Sequence, residues 1–419
     1  MSLYRDKVSY TEHVVEIAYR GGSIEVNKSR GTVYAYRAAK GDCWLISSSN
    51  SRSDIGGLKS RVDRLLSSID LGSCGELVEA ELYEGKNSLG KPVESLDQVE
   101  GLVIEQCTSV KQRGIGFCEA VVVLSSTKRL IEREDGSKAI DEKYYATVEV
   151  AVSPSIQSAV LASSFKASII WSDKTIYTLI EQAFQEAVSR LASEKKARQP
   201  GIYLMGKTRV VLSYEASAAL FHELSHLLSP GTPGYQNILG VQLLSKSIDV
   251  YDDPLEYRSP TLRFFDDEGV YPSKRILVEG GRVVDLHHTR STAYKHRSKP
   301  GSAYGLFHKP VGFHTTLVVS QGDWREREVI EETREGVYVD SIAAAMLEKG
   351  YIRIIPSTAY RVEKGELREP IRVREVKIPL SLLRTIDAIT RSRKIRVSYE
   401  KKWLVAEKTP AIRLQAHVF

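Results

Sequence analysis

The chain has 419 residues, 42% of them hydrophobic and 27% charged, which excludes a disordered or fibrous protein and exceeds what one ordinary core organises. Its 59 basic and 53 acidic residues leave a formal charge of +6, too mild an excess to argue for nucleic acid or an anionic membrane as partner. No apolar run approaches the roughly 18 residues of a spanning helix, and the first 20 residues show no apolar signal-peptide core.

In chain order, residues 13–19, 31–36 and 43–47 have strand composition, and 54–69 place Leu58, Val62, Leu65 and Leu66 at helical spacing. A strand-rich stretch follows, with β-branched residues dominating 118–124 and 144–153. Cys43, Cys74, Cys107 and Cys118 contain no CxxC pair, a pattern that supports neither a disulfide framework nor a zinc finger. A reduced, cytoplasmic protein is therefore expected, and abundant Lys, Arg and Glu beside few Cys and Met hint at a thermophilic source. The clearest helix spans 174–196, with Ile176, Leu179, Ala183, Ala187 and Leu191 as its apolar stripe. Pro and Gly at 197–201 break the pattern, and the domain boundary is placed there, giving 1–198 and 199–419.

The second part opens with a strand at 208–213 that runs directly into a helix at 214–228, ended by Ser229-Pro230-Gly231. This helix carries His222-Glu223-Leu224-Ser225-His226. Residues four apart lie roughly 40° apart around a helix, so His222 and His226 project from one face and can meet one zinc ion at about 2.0–2.1 Å. Glu223 lies close enough to serve as general base toward zinc-bound water. The opposite face, Leu220, Phe221, Leu224 and Leu228, suits a core. The third ligand is not announced. His287, His288, His296, His308, His314 and His417 qualify by residue type, while the lack of any cysteine after Cys118 excludes a C-terminal thiolate.

Beyond a Gly-rich loop, Asp252-Asp253-Pro254 reads as a turn. Asp266-Asp267-Glu268-Gly269 reads as an acidic turn, as a cation site or as carboxylates that orient metal-bound histidines. Hairpins are expected around Gly280-Gly281 and Lys364-Gly365, and a last helix at 380–390. The basic stretch from Arg391 to Lys402 fits a solvated edge strand as well as a nucleic-acid contact.

Taken in order, His222 to His226, Ile248 to Pro254, Phe265 to Val270, Arg275 to Leu286, Arg290 to Tyr294 and Pro410 to Arg413 resemble the TldD/PmbA family of zinc metalloproteases. The resemblance covers about 205–415 and extends more weakly to Ser29-Arg30-Gly31. It implies a two-domain α+β fold, an N-terminal α/β domain and a strand-rich C-terminal domain carrying the metal helix, dimerising around a central cavity. It also implies proteolysis of flexible polypeptides bound in extended form, with His222 and His226 holding Zn2+ and Glu223 as catalytic base. Bacterial protease members space the histidines one residue further apart and supply a C-terminal cysteine as third ligand, where Val397 stands here. Some paralogues have lost the metal. The resemblance therefore leaves two outcomes: a zinc-dependent peptidase, as homodimer or as heterodimer with a paralogue, or a metal-poor, non-catalytic peptide-binding subunit of such a pair.

Overall fold

The computed structural model describes residues 3–68, 71–234 and 237–419. Two sheets are built from separate stretches of chain. The first contains β1 (Tyr4–Arg20), β2 (Ser23–Lys40), β3 (Cys43–Ser49), β4 (Gly85–Leu89), β5 (Phe117–Arg133), β6 (Lys138–Ser153) and β7 (Ala162–Ile169). Its order is β3-β2-β1-β5-β6, and β4 and β7 share the far edge of β6. The β1–β2 hairpin keeps one register from Tyr4↔Ala39 to Arg20↔Ser23, turning on Gly21 and Gly22 with φ 58° and 96°. Two consecutive positive-φ residues match the right-handed twist of the strands they join.

Helices α1 (Ile55–Leu66), α2 (Leu96–Gln112) and α3 (Asp173–Lys196) cover this sheet. Val99, Val103, Cys107 and Val110 of α2 and Ile176, Ile180, Phe184 and Leu191 of α3 bury against Ile17, Val122, Val148 and Val150. Helix α2 lies within the stretch expected to be strand-rich and is not among the expected helices; its buried positions, Val99, Val103, Cys107 and Val110, recur at helical spacing. The expected helix at 54–69 is α1, four residues shorter, with its last expected residue outside the described ones.

All four cysteines are paired, Cys43 with Cys74 and Cys107 with Cys118, against the expectation of free thiols. Neither pair is announced by spacing. Packing of α2 on β5 and the crossing of residue 74 over the β2–β3 turn bring the Cα atoms to 5.8 and 5.7 Å, within disulfide reach. At that crossing a Cβ on Gly41 would stand 2.1 Å from the backbone of Gly75, so only glycine fits.

The second sheet holds β8 (Gly206–Leu212), β9 (Val250–Asp252), β10 (Arg275–Glu279), β11 (Arg282–Val283), β14 (Thr316–Val319), β15 (Glu335–Glu348), β16 (Tyr351–Glu363), β17 (Glu366–Ile371), β18 (Val376–Pro379), β19 (Ala388–Glu400) and β20 (Trp403–Val418). A small separate pair is formed by β12 (Ala303–Tyr304) and β13 (Val311–Gly312). The order β20-β18-β16-β15-β8 closes on itself because β8 pairs with β20 again. Both expected hairpins are present, β10–β11 and β16–β17. The expected helix at 380–390 is instead a 3-10 turn, Leu380–Thr385, followed by β19. Pairing of Ala388 and Ile389 with Arg413 and Ile412 claims those residues for the sheet, where Ile389 and Thr390, both β-branched, fit better.

The helix α4 (Tyr214–Leu227) packs against β15, β16, β19 and β20 and buries Leu220, Phe221, Leu224 and Leu227. It follows β8 without a loop. Ser213 caps it by accepting from the Ala216 N–H at 3.2 Å. Two short helices, α5 (Arg290–His296) and α6 (Glu326–Thr333), complete the set among the described residues.

The acidic turn at 266–268 joins the two sheets. Arg129 of β5 reaches Asp267 Oδ1 at 2.5 Å and the Phe265 carbonyl at 2.7 Å. Arg37 of β2, held by Asp6, donates to the Asp267 carbonyl at 2.8 Å. The Asp266 carboxylate accepts from the backbone N–H groups of Glu268, Val270 and Ala303. These carboxylates hold the sheets and their own loop together and do not orient the histidines of α4.

Candidate metal centre

Helical spacing does what the sequence predicts: donor atoms of His222, Glu223 and His226 all lie within 4.8 Å of one another. Two carboxylates from the far end of the chain complete the arrangement. Glu407 of β20, fully buried, places Oε1 2.7 Å from His222 Nδ1 and 3.2 Å from His314 Nε2. Its other oxygen meets Arg396 Nη1 at 3.2 Å. With Nδ1 engaged by Glu407, His222 presents Nε2 to the cleft. Glu400, at the end of β19, has its Oε2 3.5 Å from that nitrogen and 3.6 Å from His226 Nε2.

Behind this group, Ser225 Oγ lies 2.8 Å from His287 Nε2 and 2.7 Å from His314 Nδ1. A continuous polar chain thus runs His222–Glu407–His314–Ser225–His287 through the interior. The Phe313 ring lies against this group, its centroid 4.9 Å from that of His226 and 5.6 Å from that of His222. Glu223 Oε2 accepts the Leu347 N–H at 2.7 Å, which fixes the carboxylate beside the histidines.

The electrostatics follow from burial and these partners. Burial disfavours charge on His222, but Glu407 and Glu400 overcome it and lift its pKa to about 9. Burial outweighs Glu400 at His226 and, with His222 and His314 adding, pushes it down to about 4. Burial also raises Glu223 above the usual carboxylate range. At Glu407 burial acts upward, yet His222 and His314 hold the carboxyl well below that range.

Of the histidines considered for a third ligand, His314 and His287 reach this neighbourhood, behind His222 and not at its Nε2. His288 faces Asp285 and His296, and His308 lies by Trp403. His417 stands opposite Lys207 and Lys377 in the sheet. Val397 lines a groove of about 410 Å³ with Arg396, Ser398, Tyr399, Phe165 and Tyr214. Neither Glu400 nor Glu407 is among the residues the sequence singles out. Glu407 does carry a signal, since it occupies an inward position of β20 between buried Val405 and Thr409. Glu400 carries none beyond its place at the tip of a basic stretch.

For a tetrahedral ion with ligand bonds of about 2.1 Å, donor atoms stand about 3.4 Å apart. The donor atoms of His222, Glu223 and His226, all within 4.8 Å of one another, make a group that fits a divalent cation, and Glu400 Oε2 adds separations of 3.5 and 3.6 Å close to that edge.

Residues 205–417 match the PmbA/TldA metallopeptidase C-terminal domain. A metalloprotease of Methanocaldococcus jannaschii is 27% identical over 206 residues, 46% of each chain. A metalloprotease of Archaeoglobus fulgidus is 24% identical over 63% of this chain and 54% of its own. The zinc metalloprotease TldD homolog of Saccharolobus solfataricus is 23% identical over 50% of this chain and 48% of its own. These alignments span about half of each relative's length. In structure the chain is similar to TldE from Thermococcus kodakarensis, with TM-score 0.73 and 16% identity over 99% of this chain and 96% of that one. A Thermotoga maritima protein solved as a candidate modulator of DNA gyrase gives TM-score 0.75 and 15% identity over 100% and 96%. The match over half of the sequence and the shared two-domain α+β architecture lead to one conclusion: the chain belongs to the PmbA/TldD metallopeptidase family.

Proposed function

We propose that this chain is a zinc-dependent peptidase that hydrolyses peptide bonds in flexible polypeptides, with His222 and His226 holding the ion and Glu223 as general base. The observation that carries the proposal is the convergence of His222, Glu223 and His226 on one buried helix, with Glu407 behind His222. When bound, a divalent metal supplies Lewis acidity to a water and to the scissile carbonyl. Glu223 takes the proton of the attacking water and returns it to the leaving amine; the Leu347 N–H keeps one of its oxygens in place, and the other is left to carry the proton. Glu407 keeps His222 in one ring orientation.

The groove supports a flexible substrate. It is flanked by β7, which pairs only with β6, and by residues 395–399 of β19, which pair only with β20 among the described residues. Such strand edges offer unpaired backbone groups to an extended peptide. The proposal includes a dimer, of like chains or with a paralogue, for which Ile156, Leu161, Trp171, Ile202 and Tyr203 provide exposed apolar surface. It also includes a cytoplasmic setting. Paired cysteines are compatible with that setting in proteins of hot environments. No helix among the described residues is long and apolar enough to cross a membrane. The second reading, a metal-poor subunit that binds peptide without cutting it, draws on Val397 standing where relatives hold a thiolate.

Metal analysis and cleavage of an unfolded polypeptide by the wild type, H222A/H226A and E223Q decide between them. The expected result is about one zinc per chain in the wild type and in E223Q, and none in the double variant. E223Q should lose activity by roughly 100-fold or more. A wild type that neither retains zinc nor cleaves after zinc addition would overturn the peptidase in favour of the binding subunit.

A further inference from the structure

Two carboxylates approach the histidines of α4, and they do so on opposite sides of the imidazole. Glu407 meets His222 at Nδ1, the nitrogen that faces the interior, at hydrogen-bond distance. That is the position of a group that orients a metal ligand. Glu400 meets the outward nitrogens, Nε2 of His222 and Nε2 of His226, with one and the same oxygen. At 3.5 and 3.6 Å those contacts are long for hydrogen bonds to a carboxylate, which run nearer 2.7–2.9 Å. Both separations are close to the length of an edge of a coordination tetrahedron.

We propose that Glu400 is the third protein ligand of the metal, so that this chain uses a two-histidine, one-glutamate set. The inference rests on the metal site proposed above. Glu223, whose donor atom lies within 4.8 Å of those of both histidines, has one oxygen committed to the Leu347 N–H and the other assigned above to the proton. The chain holds Glu400 ready for the task. It is the last residue before a two-residue turn in which Lys401 takes φ 55°, and it pairs across the hairpin with Trp403. Trp403 in turn packs on Tyr304, ring centroids 4.8 Å apart, which anchors the turn. The Glu400 side chain is 14% exposed, so it is mostly shielded while the site stays open on one side. Three protein ligands leave the fourth position for water, as a hydrolytic site requires. An oxygen donor also makes the set harder than one containing sulfur, so manganese and cobalt should be accepted more readily.

The test loads refolding-competent wild type, E400A, E400Q, E407Q and H222A/H226A with zinc in competition with a chromophoric chelator, and records visible spectra with cobalt(II). Thermal melts of the metal-free proteins establish that each variant is folded. The expected result is a loss of zinc affinity of roughly 100-fold or more in E400A and E400Q, with an altered cobalt spectrum. E407Q should weaken binding by less and keep the shape of the spectrum, because it leaves the ligand set intact. Zinc affinity in E400A within about threefold of the wild type, with an unchanged cobalt spectrum, would overturn the proposal. Affinity lost with the spectrum unchanged would overturn it too, making Glu400 a positioning residue. Stoichiometric zinc in H222A/H226A would instead overturn the metal site itself, a separate failure that the Glu400 variants alone cannot produce.

Discussion

Glu268 is fully buried, and its two oxygens fare differently. Oε2 accepts the Arg290 N–H at 2.7 Å, whereas Oε1 has no hydrogen-bond partner. Burial, with Asp266 adding, raises its pKa to about 8, against the opposing pull of Arg290 and Arg37. An unfolded glutamate titrates near 4.3, so the folded chain holds this proton more tightly. The stability it contributes is full below about pH 4 and is lost as pH rises through about 8. Glu268→Gln, which stays neutral, should therefore flatten the decline of Tm between pH 5 and pH 9 by several degrees. Parallel Tm profiles for the two proteins would disprove the assignment. The residue scale is also where the sequence was most and least legible. His222, Glu223 and His226 could be read directly, because one helix turn fixes their relation. Glu400 and Glu407 could not, because only the closure of the second sheet brings β19 and β20 to α4, and no local pattern encodes that approach.

Among the elements, α4 shows how little of its stability depends on a ligand. Leu220, Phe221, Leu224 and Leu227 are buried, Ser213 caps the first turn, and Ser217 and Ser225 face the interior. Burying each large apolar side chain contributes about 1.5–3 kcal/mol before entropy is counted. Chelation at 25 °C is accordingly expected to remove the metal without loss of far-UV circular dichroism. The loss of stability should be no larger than the mass-action contribution of a bound ligand, about 3–4 kcal/mol at several hundred times Kd. Collapse of the helical signal on chelation would show that the ion holds the fold. The same element was easy to foresee, since strand, cap and apolar stripe agreed. The turn at 380–385 was not. Its leucines have helical spacing, but pairing of β19 with β20 competes for the residues that follow, and long-range pairing is invisible to a local pattern.

At the scale of the molecule, two kinds of fastening tie the sheets together. One is polar: Arg37 and Arg129 hold the 265–267 turn, and the Tyr83 N–H donates to the Gly269 carbonyl. The other is covalent. The Cys43–Cys74 bond closes a loop of 31 residues and so fixes the start of the segment that runs on to Val78 and Tyr83 against the second sheet. Loop-closure entropy gives such a bond about 3–4 kcal/mol. Reduction should lower Tm by several degrees, and thiol titration of the unreduced, denatured chain should find no free cysteine. Four titratable thiols without reductant would show that the pairs do not form. Cysteine spacing does not announce the Cys43–Cys74 pair, because the crossing of Gly75 over Gly41 is set by packing between segments.

The order of residues along the chain has a further consequence, for biosynthesis. A ribosome delivers His222 and His226 roughly 170 residues before Glu400 and Glu407, a delay of about 10–30 s at ordinary elongation rates. Until β19 and β20 emerge, the helix has its histidines but lacks both carboxylates and the strands that wall the cleft. Under the peptidase reading proposed above, the site stays incomplete until synthesis has passed residue 407.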